Sequence, residues 1–94
     1  MAGYIIVQVD VHDAETYEKY KPMVPPTLVP YGGEFVVRGG PQECVEGNWH
    51  PRTVVIRFAD VATARAWYDS PEYAPAKALR HAAANANLLI VEGE

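Results

Sequence analysis

The order in which the apolar period changes along this chain constrains its fold more than any other feature. Ile5, Val7, Val9 and Val11 recur at every second position from Tyr4 to Val11, the period of a strand. Asp13 offers a helix cap, and Tyr17, Tyr20, Val24, Leu28 and Tyr31 then recur at spacings of three and four, the stripe of an amphipathic helix. Glu34 to Arg38 and Thr53 to Phe58 return to strand character. Asp60 caps a second helix reaching Asp69, with Val61, Ala64, Trp67 and Tyr68 on one side. Ser70 and Pro71 restart a helix that is Ala-rich from Ala74 to Ala84, and Leu88 to Glu92 is the last strand. The succession βαββαβ is the split pattern of an α+β, ferredoxin-like fold. It predicts a four-stranded antiparallel sheet with the helices on one face.

Pro22, Pro25, Pro26 and Pro30 remove amide donors along the first helical stripe, so that helix is predicted to break between Met23 and Pro26. The connection from Gly40 to Arg52 carries Glu43, Cys44, Glu46, Trp49 and His50, and its length marks it as functional or as holding extra structure. With 94 residues, 49% of them hydrophobic and 21% charged, residues 1–94 form one domain. A chain of this size buries only roughly 60 to 65% of the surface its unfolded form exposes, so self-association is a ready supplement. Eight basic residues against 12 acidic ones, with no basic cluster, argue against a nucleic-acid partner. One cysteine, no apolar run of membrane-spanning length and no leader-like start point to a cytoplasmic protein without a membrane partner.

One face of each strand is apolar: Ile5, Val7, Val9; Phe35, Val37; Val54, Ile56, Phe58; Leu89, Val91. These are predicted to meet the helices. The opposite face, with Ile6, Val36, Val55, Leu88 and Ile90 beside Tyr4, Gln8, Asp10, Thr53, Arg38 and Arg57, is too apolar for a fully solvated surface. Packing of this face on a second copy would make a homodimer and enclose a polar-lined cavity between two sheets. The plain alternative is that Arg38 and Arg57 pair with Glu34, Glu43 or Asp10 as ordinary sheet charges.

Arg38, Arg57 and Arg80 are the side chains suited to a carboxylate or enolate, because a guanidinium presents a planar fork of donors. Arg38, next to Gly39 and Gly40, leads this group, although pairing with Glu46 or Asp10 would account for it equally well. Tyr17 and Tyr20, with Trp67 as a packing wall, are candidates for the apolar part of a small-molecule site. Their bland role is core. Glu46 and His81 are the remaining candidates, each as an acid or base, against the simpler reading of a solvated loop carboxylate and a surface imidazole. Asp10 and His12 share a strand face, but two ligands do not make a metal site, and no metal or other cofactor is expected. Cys44 lies between two acidic residues, which disfavours an activated thiolate. No nucleophile elbow, phosphate loop or paired-cysteine motif is present.

The runs YIIVQVDVHDAETYEKY, YGGEFVVRGGPQECVEGNW and AWYDSPEYAPAKALR resemble the small bacterial proteins grouped as domain of unknown function 1330, within the dimeric α+β barrel superfamily. The likeness extends from Gly3 to Gly93. It implies a dimer whose two sheets form a barrel and no assigned activity; relatives in the superfamily include cofactor-free monooxygenases, a muconolactone isomerase and haem enzymes. Their catalytic residues do not map onto this chain by motif. The expected function is binding of a small aromatic or carboxylate-bearing metabolite, extending to a cofactor-independent isomerase, lyase or monooxygenase step. The alternative is a non-catalytic dimeric binding or interaction module.

Overall fold

Alternation from Gly3 to Val11 produces a strand with its odd-numbered side chains buried through Val9, and this strand, β1, becomes the spine of the sheet. The computed structural model describes residues 1–94. After β1 come α1 (Ala14–Tyr20), a 3₁₀ turn (Lys21–Met23), α2 (Val24–Leu28) and a second 3₁₀ turn (Val29–Tyr31). They are followed by β2 (Glu34–Arg38), β3 (Arg52–Phe58), α3 (Val61–Tyr68), α4 (Ala74–Ala83) and β4 (Ala84–Glu92). All neighbouring strands are antiparallel and the order across the sheet is β2-β3-β1-β4, the arrangement predicted from the βαββαβ succession.

The first helical stretch breaks earlier and more often than expected. It is interrupted at Lys21–Met23 and again at Val29–Tyr31, with Pro22 and Pro30 second in the two 3₁₀ turns and Pro25 and Pro26 second and third in α2. In the first turn of a helical piece a missing amide hydrogen costs least, so the stretch accommodates four prolines by dividing into short pieces. Tyr17, Tyr20, Val24 and Leu28 remain on the buried side. Asp13 and Asp60 cap α1 and α3 by accepting from the backbone amides of Thr16 and Thr63, at 3.1 and 2.7 Å.

One core fills the space between the sheet and the helices. Trp67, Tyr73, Phe58, Ile5 and Val9 are its largest fully buried side chains, each contributing roughly 1.5 to 3 kcal/mol through burial. Trp67 stacks on Tyr73 with ring centroids 4.0 Å apart and tilts against Phe58 at 5.7 Å.

Two strand faces differ from expectation. In β4, the pairs Ile5 with Ile90 and Val7 with Leu88 turn Ala84, Ala86, Leu88 and Ile90 toward the helices, leaving Leu89 and Val91 outward. Leu88 through Val91 are apolar at both parities, so their period alone could not choose; Asn85 and Asn87, which sit on the outward parity, decide it. In β2 a bulge lies between Phe35 and Val37. Phe35 opposes Ile56, but Val37 opposes Val55 and Arg38 opposes Val54, so the residues after the bulge exchange faces.

The outer face is thereby divided. Val37, Val55, Ile6 and Leu89 form an apolar row across all four strands. Beside it lies the polar row Thr53, Gln8 and Asn87. The connection between β2 and β3 folds over the polar row: the His50 amide donates to Gln8 Oε1 at 3.0 Å, Trp49 Nε1 donates to Thr53 Oγ1 at 2.9 Å, and Asn87 Nδ2 lies 3.4 Å from His50 Nε2. No strand forms within this connection.

Candidate functional site

A pocket opens between the inner face of the sheet and the helices, on the opposite side of the sheet from the cavity expected between two sheets. Its walls are Ile5, Val7, Val54 and Ile56 from the sheet and Tyr17, Tyr20, Trp67 and Tyr73 from the helical side. Four cationic side chains also line it: Lys21, Arg38, Arg52 and Arg80. No Asp, Glu or His does. Its interior volume of about 30 Å³ accommodates a water or two.

The bulge brings Arg38 here. Straight alternation would aim it outward; the extra residue turns it inward, where its guanidinium lies 4.3 Å from the Phe35 ring centroid. It forms no ion pair, and neither Glu46 nor Asp10 approaches it. Arg52, the first residue of β3, shares the inward parity of Val54, Ile56 and Phe58, and its Nε donates to the Tyr17 hydroxyl at 3.1 Å. Lys21 is held by Glu18 at 2.8 Å.

Arg80 is the deep cation. It is only 4% exposed, on the buried stripe of α4 with Ala76 and Ala83, and its single hydrogen bond runs from Nε to the Tyr73 hydroxyl at 3.4 Å. Burial alone would draw its proton affinity down, but the oxygens of Tyr73, Tyr20 and Tyr68 outweigh that, so it remains a cation. The Tyr73 hydroxyl lies 2.9 Å from that of Tyr20. Burial, with Tyr73 alongside, pushes the Tyr20 hydroxyl well above its ordinary pKa, which keeps it a neutral donor.

Tyr17, Tyr20, Trp67 and Arg38 therefore come together, while Arg57, Glu46 and His81 do not join them. Arg57 is exposed on the outer face, opposite Tyr4 and Glu34, without an ion pair. Glu46 is exposed in the connection, where its carbonyl accepts from Cys44 Sγ at 3.3 Å. His81 lies beside a surface groove with Arg65 and Arg80, and partial burial and the charges of Arg80 and Lys77 lower its pKa. The sequence alone does not distinguish Lys21, Arg52 or Tyr73, and it marks Arg80 only as one of three guanidiniums suited to an anion. The spacing Tyr73, Ala76, Arg80, Ala83 and the shared parity of Arg52 with Val54 were the signals that place them. No three His, Cys, Asp or Glu side chains converge to hold a metal ion.

Residues 2–94 match the family described as Domain of unknown function (DUF1330). No curated protein matches the chain. Among solved structures, the RPA0582 protein of unknown function from Rhodopseudomonas palustris is 19% identical over 99% of this chain and 82% of its own, with a TM-score of 0.80. A dimeric ferredoxin-like protein of unknown function from Jannaschia sp. CCS1 is 20% identical over 100% and 99% of the two chains, with a TM-score of 0.74. SnoaB, a cofactor-independent oxygenase from Streptomyces nogalater, is 14% identical over 99% and 93%, with a TM-score of 0.72. At these identities the likeness establishes the ferredoxin-like fold.

Proposed function

This chain belongs to the domain of unknown function 1330 family, and from that premise we propose that it binds a small aromatic carboxylate, or a planar anion of similar size, in the pocket between its sheet and its helices. One observation carries this reading. In a chain of net charge −4, four cations and no carboxylate line an otherwise apolar, aromatic pocket. A partly buried guanidinium without an acidic partner is costly, and a bound anion offsets that cost. Arg38 and Arg52, at the open side, would take the carboxylate; Tyr17, Tyr20 and Trp67 would face the ring. Entry requires the long side chains at the mouth to move, and of these Arg52 is tied only to Tyr17.

The reading commits to binding rather than to a reaction. An isomerase or lyase step beginning with proton removal by a carboxylate or imidazole finds neither among the lining residues. In an oxygenase step of the kind named for SnoaB, these residues would supply anion stabilisation through Arg38, Arg52 and Arg80.

We propose further that the protein is a homodimer, as the Jannaschia relative is described to be, and that it pairs through its outer face. The apolar row Val37, Val55, Ile6 and Leu89 supports this, because Val37 and Leu89 at its two ends are exposed in the single chain.

The binding reading is tested by thermal shift with 2-naphthoate and its neutral amide, on wild type, Arg38→Gln, Arg52→Gln and Arg57→Gln. Stabilisation by the acid alone, reduced in the first two variants and intact in Arg57→Gln, is expected. Stabilisation that ignores ligand charge, or survives loss of both Arg38 and Arg52, would overturn it.

A further inference from the structure

We propose that the pocket has two chemically distinct ends, and that its ligand is a flat ring bearing a carboxylate at one end and a hydrogen-bond-accepting oxygen, a carbonyl or an ionised phenol, at the other. This rests on the anion-binding reading above and specifies its ligand.

The two ends differ in burial and in donor chemistry. Arg38 and Arg52, exposed and half-exposed, are carried by β2 and β3, and half-exposed Lys21 also lines the pocket. Tyr20, Tyr73 and Arg80 are buried, at 8, 1 and 4% exposure, where α1 packs on α4. Arg80 there also borders a surface groove along β4, so this end lies across the sheet from Arg38.

Counting hydrogens at the buried end shows what is missing. A tyrosine hydroxyl has one hydrogen to give and an oxygen to receive. Tyr20 and Tyr73 bond to each other, which uses one hydroxyl hydrogen, and Arg80 Nε gives its hydrogen to Tyr73. The second hydroxyl hydrogen has no protein acceptor. No carbonyl, carboxylate or amide oxygen accepts from any of the three side chains. The tyrosine pair is one acceptor short, the four terminal guanidinium hydrogens of Arg80 likewise have no protein acceptor, and the positive charge behind Tyr73 strengthens the hydroxyl's donation. A water in the pocket can fill that place; a ring whose oxygen displaces the water keeps the bond and adds ring contact with Trp67 and Tyr73. A ring ending in a methyl group strands the donor, which is the larger penalty.

Two ligands of matched shape separate the ends: 4-acetylbenzoate, whose ketone oxygen accepts, and 4-isopropylbenzoate, which has no such oxygen. Calorimetric titration of the wild-type protein is expected to show the acetyl compound binding about fivefold to tenfold more tightly, the worth of one hydrogen bond to a desolvated donor. The double variant Tyr20→Phe, Tyr73→Phe is expected to bring that ratio to about one while still binding 4-isopropylbenzoate, which also reports that it is folded. Equal affinities in the wild type would overturn the two-ended ligand and leave the anion site standing. A preference that persists in the folded double variant would remove the oxygen from the tyrosine pair. Failure of both acids to bind wild type would overturn the anion-binding reading itself, and this inference with it. Should the double variant not fold, the wild-type ratio alone decides.

Discussion

The guanidinium of Arg52 occupies the space that a side chain on Gly39 would need. A Cβ at Gly39 would overlap the Arg52 guanidinium, and Gly39 also sits at φ +69°, in the left-handed region. Its amide donates to the Thr53 carbonyl at 2.8 Å, so the backbone cannot simply swing away. Gly39→Ala is therefore expected to lower the melting temperature, with ~1 to 2 kcal/mol from the backbone conformation alone, and to weaken aromatic-acid binding by displacing Arg52. Gly40→Ala, where a Cβ meets nothing within 4 Å, should change neither. Thermal melts with and without 2-naphthoate check both. Intact binding in Gly39→Ala would show that Arg52 does not need this seat.

Trp67 is anchored through Thr27. The indole Nε1 donates to Thr27 Oγ1 at 3.0 Å, and that hydroxyl donates in turn to the Val24 carbonyl at 2.6 Å, tying α3 to α2. Thr27→Val keeps the shape and strands the buried indole hydrogen, at an expected cost of ~1 to 3 kcal/mol. Trp67→Ala also opens a cavity against Phe58 and Tyr73 and should cost ~3 to 5 kcal/mol. Urea unfolding measures both. A Thr27→Val variant as stable as wild type would mean that the indole finds another acceptor.

How far the sequence could be read depended on whether a local period had a competitor. β1 and β3 alternate cleanly, and their inward sets, Ile5, Val7, Val9 and Val54, Ile56, Phe58, are all buried. In β4 two apolar sets compete from Leu88 to Val91, and the strand's true start at Ala84 was hidden in what read as helix. Arg38 shows the limit most directly. Its inward aim depends on one extra residue in β2, set by pairing with β3, and no local pattern in Glu34 to Arg38 reports it. Tyr17, Tyr20 and Trp67 were legible as a helical stripe. The Tyr73 and Arg80 cluster was not, because it requires knowing that α1 packs on α4.

The helix caps give the protein an acid-sensitive component of stability. Hydrogen bonds from the Thr63 hydroxyl and then its amide hold the Asp60 carboxyl below its ordinary range, and Thr16 does the same for Asp13. Each pKa is lower folded than unfolded, so the stabilisation is complete above the unfolded value and is lost as pH falls through the folded one. The deficit of Asp60→Ala against wild type should therefore be greatest near neutral pH and shrink in strong acid. Melting temperatures of both proteins across the acid range test this. A deficit independent of pH would assign the effect to packing rather than to the ionised cap.

Assembly through the outer face makes a prediction at Leu89. This side chain is 53% exposed in a single protomer and ends the row that begins at Val37, so a charge there disturbs the association surface and not the core. Leu89→Glu is expected to keep the wild-type circular dichroism and melt as a folded monomer, because burying an unpaired carboxylate between two apolar rows is costly. Val45→Glu is the matched control: Val45 is 81% exposed in the connection, away from the row, and its variant should retain the wild-type mass. Light scattering on both at matched concentration reads the result. A wild-type monomer would dismiss the dimer outright, and a dimeric Leu89→Glu would move the interface off this row. Loss of association in Leu89→Glu with aromatic-acid binding preserved would also show that the pocket works within a single protomer.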